Sequence, residues 1–226
     1  MNKTFEGCVL FFVKFPEAGK VKSRLAAEIG DSLAVKLYRH FVLDLISKLK
    51  TINYPIFVCF SPPNSLQDFK SWLGEENVYL PQTGENLGQK MKQAFTTIFA
   101  EQFKRAILIG SDSPDLPINL ITEALEALKT YHTVIGPCFD GGYYLIGFTQ
   151  EKFLPSVFEG INWSTETVFQ KSIEILKENN RTIHSLPTWA DVDTVSDLLE
   201  FYQRNKNSEF RSSKTMALLR EILKIQ

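Results

Sequence analysis

Four times between Cys8 and Leu128 a short aliphatic run gives way to a longer stretch with apolar residues at helical spacing. This alternation narrows the possible folds more than any other feature. The runs are Cys8 to Lys14, Ile56 to Phe60, Val78 to Leu80 and Ala106 to Gly110. Behind them come Leu33, Leu37, Phe41, Leu45 and Leu49, a short helix through Leu66 to Leu73, then Met91, Ala94, Phe95, Ile98 and Phe99, and finally Leu120, Ala124, Leu125 and Leu128. Strand followed by helix, repeated, is the pattern of a mostly parallel sheet covered on both faces.

The second half departs from that rhythm. Thr133 to Pro137 and Tyr143 to Phe148 are strand-like runs separated only by CFDGG, which leaves no room for a crossover helix and predicts an antiparallel insertion or a sheet edge. A helix over Ser164 to Glu178, a strand near Thr182 to Leu186 and a helix starting near Asp193 or Thr194 follow. From Arg204 the chain turns polar and basic, with Arg204, Lys206, Arg211, Lys214, Arg220 and Lys224 set against Glu209 and Glu221. Met216, Leu218, Leu219, Ile222 and Leu223 still predict a terminal helix, docked on the body or on a partner. With 226 residues at 44% hydrophobic content, one sizeable core is expected. Residues 1–203 are therefore expected to form one domain and 204–226 a basic helical extension through which a homo-oligomer can form.

A formal net charge of -1 provides no global field for nucleic acid or an anionic membrane, so a polyanion must be gripped locally. Met1 to Gly7 lacks the apolar core of a secretion signal, and no stretch approaches the roughly 20 apolar residues of a bilayer span. A cytoplasmic protein is expected. Cys8, Cys59 and Cys138 are odd in number and lie in separate apolar runs, which suits reduced core thiols.

Chemistry concentrates where strands end. In RAILIGSDSPDLP, Arg105 to Pro117, an aliphatic strand runs into a turn holding Asp112 and Asp115. Residues just past the carboxyl end of such a strand line the ligand crevice of an α/β sheet. An aspartate there needs a compensating cation, and Mg²⁺ (or Mn²⁺) carrying a phosphate group suits it. The plainer alternative is that both aspartates cap the next helix. The loop after the first strand, KFPEAGKVKSRL, sets Lys14, Lys20, Lys22 and Arg24 around Gly19, whose lack of a side chain permits close backbone approach. It is a candidate phosphate cradle, although neither GxxxxGK[ST] nor GxGxxG is present. Asp140, Gly141 and Gly142 open a turn before Tyr143 and Tyr144, rings that can offer an apolar face to a ligand. Asp191 and Asp193 flank Val192 in TWADVDTVSDL, one a candidate second metal ligand and the other a helix cap. His40, His132 and His184 have no partner pattern.

Taken together, FVKFPEAGKVKSRLA, QTGENLGQKM, LIGSDSPDLP, GPCFDGGYYLIGF, INWSTETVF and ADVDTVSDL, in that order, resemble a prokaryotic glycosyltransferase-like family. That family sits in the nucleotide-diphospho-sugar transferase superfamily and includes transferases accompanying radical-SAM and selenium-domain proteins. The resemblance spans Phe12 to Leu198 and implies a three-layer α/β/α sandwich of the glycosyltransferase-A fold, mostly parallel with an antiparallel part in the second half. It implies Lys22 and Arg24 on the phosphates, Asp112 with Asp191 or Asp193 on the metal, and loops Gly84 to Gly88 and Asp140 to Gly142 lining the nucleotide and acceptor pockets. Where the family loop usually has Thr this chain has Ser23, which keeps the hydroxyl. The expected partners are a nucleotide or nucleotide sugar and a small-molecule acceptor, with Asp140 as base near the acceptor. Glycosyl transfer leads; nucleotidyl transfer, favoured by the basic first loop, and plain nucleotide binding are the alternatives.

Overall fold

The computed structural model describes residues 6–163 and 165–223. Strand β1 (Gly7–Lys14) is buried along all but its last residue, because both of its faces carry apolar side chains. Val9, Phe11 and Val13 join the core on one side, and Cys8, Leu10 and Phe12 the core on the other. After it come α1 (Ser23–Ile29), α2 (Asp31–Leu49), β2 (Ile56–Ser61), α3 (Leu66–Leu73), β3 (Val78–Pro81), α4 (Leu87–Ala100), β4 (Arg105–Ile109) and α5 (Ile118–Ala127). The second half contributes β5 (Thr133–Pro137), β6 (Tyr143–Thr149), α6 (Val168–Glu178), β7 (Ile183–Ser185), α7 (Val195–Asn205) and α8 (Lys214–Leu223).

The seven strands form a single sheet in the order β3-β2-β1-β4-β6-β5-β7. Strand β6 runs antiparallel to both β4 and β5, so the CFDGG turn folds it back into the middle of the sheet as an insertion, with β3 and β7 at the edges. The sandwich expected from the alternating pattern is the architecture observed: α2 and α5 pack with one core, α4 and α6 with the other. Both faces of every central strand must be covered, which is why the strand runs carry no polar alternation. The α6 helix begins at Val168; the Ser164 start expected from sequence lies outside the described residues.

The carboxyl-terminal segment packs on its own chain. Met216, Leu218 and Leu219 of α8 join Leu25, Leu37, Phe41 and Phe201 in a third apolar cluster. The line drawn at 203/204 from composition crosses the last turn of α7 and meets no linker there; Lys224 is outside the described residues. The start of α8 is capped from α2, because Asp44 accepts from the backbone N–H groups of Lys214 and Thr215 at 3.0 and 2.8 Å. Asp44→Ala removes both acceptors at a buried helix start. It should cost about 1–2 kcal/mol, read as a lower denaturant midpoint; an unchanged midpoint would show that α8 docks without its cap.

Candidate active site

The crevice lies at the carboxyl ends of β1 and β4, where two parallel strands leave the sheet toward opposite connections. Four chain segments meet there. Tyr38 of α2 ties the first two together, its hydroxyl accepting from the Lys14 N–H at 3.0 Å and bonding Ser111 Oγ at 3.0 Å. Burial, with the nearby Asp112 charge, pushes the Tyr38 phenol up to about 12, so it stays protonated. Gln82, just past β3, donates to the Cys59 carbonyl at 2.6 Å and closes the side near β2. The segment before α7 arrives last: Leu186 and Trp189 donate backbone N–H bonds to Ile135 and Pro137, and Val192 donates to the Asp112 carbonyl at 3.0 Å. That last bond pins Asp193 beside the tip of β4.

A cavity of about 470 Å³ opens over this junction, lined among others by Lys14, Lys22, Arg24, Ser111, Asp112 and Asp193. Its size falls in the usual range for small-molecule sites. Lys22 is its floor. The backbone of Lys22 is left-handed (φ 50, ψ 44) at the start of α1, and its side chain is only 2% exposed. The ammonium contacts Asp112 Oδ1 and lies 2.9 Å from Asp193 Oδ1, while Arg24 contacts Asp193 Oδ2. Burial alone would lower the Lys22 ammonium, but the charges of Asp112 and Asp193 and their hydrogen bonds outweigh it and hold it above its usual range. Burial would raise the Asp193 carboxyl, and the Lys22 and Arg24 charges reverse that and hold it low.

The other candidate residues surround this centre. Asp140 is exposed, and its carboxylate accepts from the Gly142 N–H at 2.9 Å. Cys138, Asp140 and Asp191 bring their ligand atoms within 4.8 Å of one another. Burial, then the charges of Asp140 and Asp193, push the Asp191 carboxyl up to about 6. The Cys138 thiol is raised by burial and by four aspartates, Asp191, Asp140, Asp112 and Asp193, so a soft thiolate is not offered. Hard carboxylate oxygens are the donors this region presents, which suits Mg²⁺ or Mn²⁺. Asp112 and Asp193 already converge on one cationic point.

Several glycines serve packing. A Cβ on Gly141 would fall 2.0 Å from the Glu166 carbonyl oxygen at φ +85, one on Gly88 would strike the Phe158 carbonyl and Trp163, and one on Gly84 would meet Gln89. Gly142 faces the Asp140 carboxylate, and Gly19 alone among the five has open space before it. None of the five lines the cavity. Tyr143 and Tyr144 do line it, but the Tyr144 ring lies over Gly136 and its hydroxyl donates to the Pro187 carbonyl at 3.0 Å, so that ring is fixed within the fold. Asp115 caps no helix. It is buried and accepts from Arg204, Asn205 and the Trp189 indole, while Pro117 holds the N-cap position of α5. Asp193 is no cap either: α7 is capped by Thr194 and Asp197 in a reciprocal box. Tyr38, Ser111 and Gln82 were not singled out from sequence. Tyr38 looks there like one more apolar helix position, whereas Ser111 and Gln82, each just past the end of a strand, carried a positional signal.

Comparisons with known proteins agree with this fold. A structure from Desulfovibrio desulfuricans G20, named provisionally as a nucleotide-diphospho-sugar transferase, is 46% identical over 96% of this chain and 95% of its own, with a TM-score of 0.93. A cytidylyltransferase from Leptospira borgpetersenii (13% identity, covering 97% of this chain and 94% of that one, TM-score 0.55) shares the fold. So does a 4-diphosphocytidyl-2C-methyl-D-erythritol synthase from Anaerococcus prevotii (12%, 88% and 100%, TM-score 0.57). Among the described residues no helix is long and apolar enough to cross a membrane. The family described as an uncharacterized protein conserved in bacteria, DUF2064, matches residues 45–165. The chain belongs to that family and has the fold of a nucleotide-diphospho-sugar transferase.

Proposed function

We propose that this protein is a metal-dependent transferase acting on an activated nucleotide, a nucleotide-diphospho-sugar glycosyltransferase. The observation that carries the reading is the meeting of Lys22 and Arg24 with Asp112 and Asp193 on the floor of a ligand-sized cavity at the head of the sheet. A buried cation flanked by carboxylates contributes little to stability and suits binding of a charged ligand. Lys14, Lys22 and Arg24 receive the diphosphate, and Asp112 and Asp193 are the residues that would hold Mg²⁺ or Mn²⁺. Bound there, the metal would neutralise charge developing on the departing nucleoside diphosphate. Asp140, next to Asp191, faces the acceptor and takes its hydroxyl proton.

The test is the product. A panel of nucleotide sugars with Mg²⁺ should release nucleoside diphosphate. A nucleoside triphosphate with a phosphorylated small molecule, releasing pyrophosphate, is the second reading, favoured by three cations lining one cavity. Neither product would leave a binding protein. Arg24→Ala should weaken nucleoside di- and triphosphates by about tenfold, the worth of one charge-assisted hydrogen bond, with nucleosides nearly unaffected in calorimetry. Equal losses for nucleosides would make the loop a structural element.

A further inference from the structure

The position shared by Asp112 and Asp193 is filled by the chain's own ammonium group. Lys22 Nζ touches one oxygen of each carboxylate. A divalent ion bound to those same oxygens, at the roughly 2.1 Å that Mg²⁺ requires, would overlap the ammonium. The two cations exclude each other. The Asp193 carboxylate and the Asp112 backbone have partners besides Lys22, however. Asp193 is also held by Arg24 on its second oxygen, its backbone N–H donates to Asp197 at 3.0 Å, and Val192 donates to the Asp112 carbonyl. If Lys22 left, the Asp193 carboxylate and the Asp112 backbone would stay in place, and an entering divalent ion would find both residues beside it. The Lys22 backbone is equally fixed, since its carbonyl accepts from the Ala26 N–H at 2.8 Å within the first turn of α1, so departure requires only the side chain to swing. The adjoining cavity is where it would swing, and it is where Lys14 and Arg24 already gather positive charge.

We propose that Lys22 is an internal gate on the metal site: it occupies the Asp112–Asp193 position in the free protein and gives it up when a diphosphate group enters the cavity and draws the ammonium onto its oxygens. This rests on the proposal that the cavity binds a nucleotide's diphosphate together with a metal. Diphosphate and metal therefore bind with positive coupling, and the coupling is reciprocal. Metal alone meets a site that is open in only a fraction of molecules, which lowers its apparent affinity by that fraction. Lys22 thereby sets the order of binding, with diphosphate before or together with metal.

Equilibrium dialysis of Mn²⁺ against the full chain tests this without reference to turnover. The wild-type protein should retain Mn²⁺ weakly when it is the only ligand, and at least tenfold more tightly with inorganic pyrophosphate, after correction for Mn²⁺ bound by free pyrophosphate. Lys22→Met keeps most of the length of the side chain and removes the charge, so it should retain Mn²⁺ alone at least tenfold more tightly than wild type, with the pyrophosphate enhancement largely gone. Equal Mn²⁺ affinity in wild type and Lys22→Met, unchanged by pyrophosphate, would overturn the gate and leave the metal site standing. Absence of Mn²⁺ binding under every condition would overturn the metal site and the gate together. Should Lys22→Met fail to fold, the wild-type titrations with and without pyrophosphate decide alone: no enhancement overturns the gate.

Discussion

Asp112→Asn is expected to lower Mg²⁺-dependent affinity for a nucleoside diphosphate by at least about a hundredfold. Loss of an outer-shell partner already costs roughly 10–100-fold in metal affinity, and Asp112 is assigned to the metal directly. The amide keeps the shape of the side chain but gives up one of the two charges that converge beside Lys22. The fold should tolerate the change, because the Asp112 side chain is 48% exposed and its structural bond, from the Val192 N–H, uses the backbone carbonyl. Affinity for the same diphosphate measured in EDTA should stay within about threefold of wild type, since Lys22 and Arg24 still offer their charges. Calorimetry in Mg²⁺ and in EDTA separates the two effects. Full retention of Mg²⁺-dependent binding would remove Asp112 from the metal site.

The sandwich was legible in the chain because each buried strand sits between two cores and must be apolar on both faces, leaving a continuous run such as Cys8 to Lys14. The shortness of CFDGG revealed the antiparallel step, but not that β6 would enter the middle of the sheet, since strand order depends on pairing partners that one segment does not specify. At the site, Lys22, Arg24, Asp112 and Asp193 came together as a cluster from loops that end at the same edge of the sheet. Their mutual pairing was not legible: it spans 171 residues between Lys22 and Asp193, beyond any local spacing rule. Glycines carry an ambiguity of their own. Gly84, Gly88 and Gly141 looked like ligand contacts, yet each faces another part of the chain at a distance that admits no Cβ. A glycine demanded by close approach gives no sign, in sequence, of whether the approaching group is ligand or backbone.

The substitution with the largest expected effect on stability is Asp115→Ala, three residues beyond the site. Asp115 is buried, with a side chain 3% exposed, and its carboxylate accepts from Arg204 Nε at 2.6 Å, Arg204 again at 3.2 Å, Asn205 Nδ2 at 2.7 Å and the Trp189 indole at 3.2 Å. Three elements are therefore joined at one side chain: the loop after β4, the Trp189 segment that leads into Asp191 and Asp193, and the last turn of α7. Removing the acceptor strands buried donors and leaves the Arg204 charge without its partner, a defect worth about 3–5 kcal/mol. For a chain of this size that corresponds to a fall in melting temperature on the order of 10 °C. Replacing both partners with apolar residues, as in Asp115→Leu with Arg204→Met, should recover much of the loss, because neither member of the pair is then left buried and alone. Thermal and denaturant unfolding of the two variants measure this. A loss below about 1 kcal/mol for Asp115→Ala would mean that water satisfies Arg204 and that the network does not hold the Asp191–Asp193 segment. The expected outcome ties the carboxylates of the site to the core: Asp193 stays aligned with Asp112 because Asp115 anchors the Trp189 segment on which it rides.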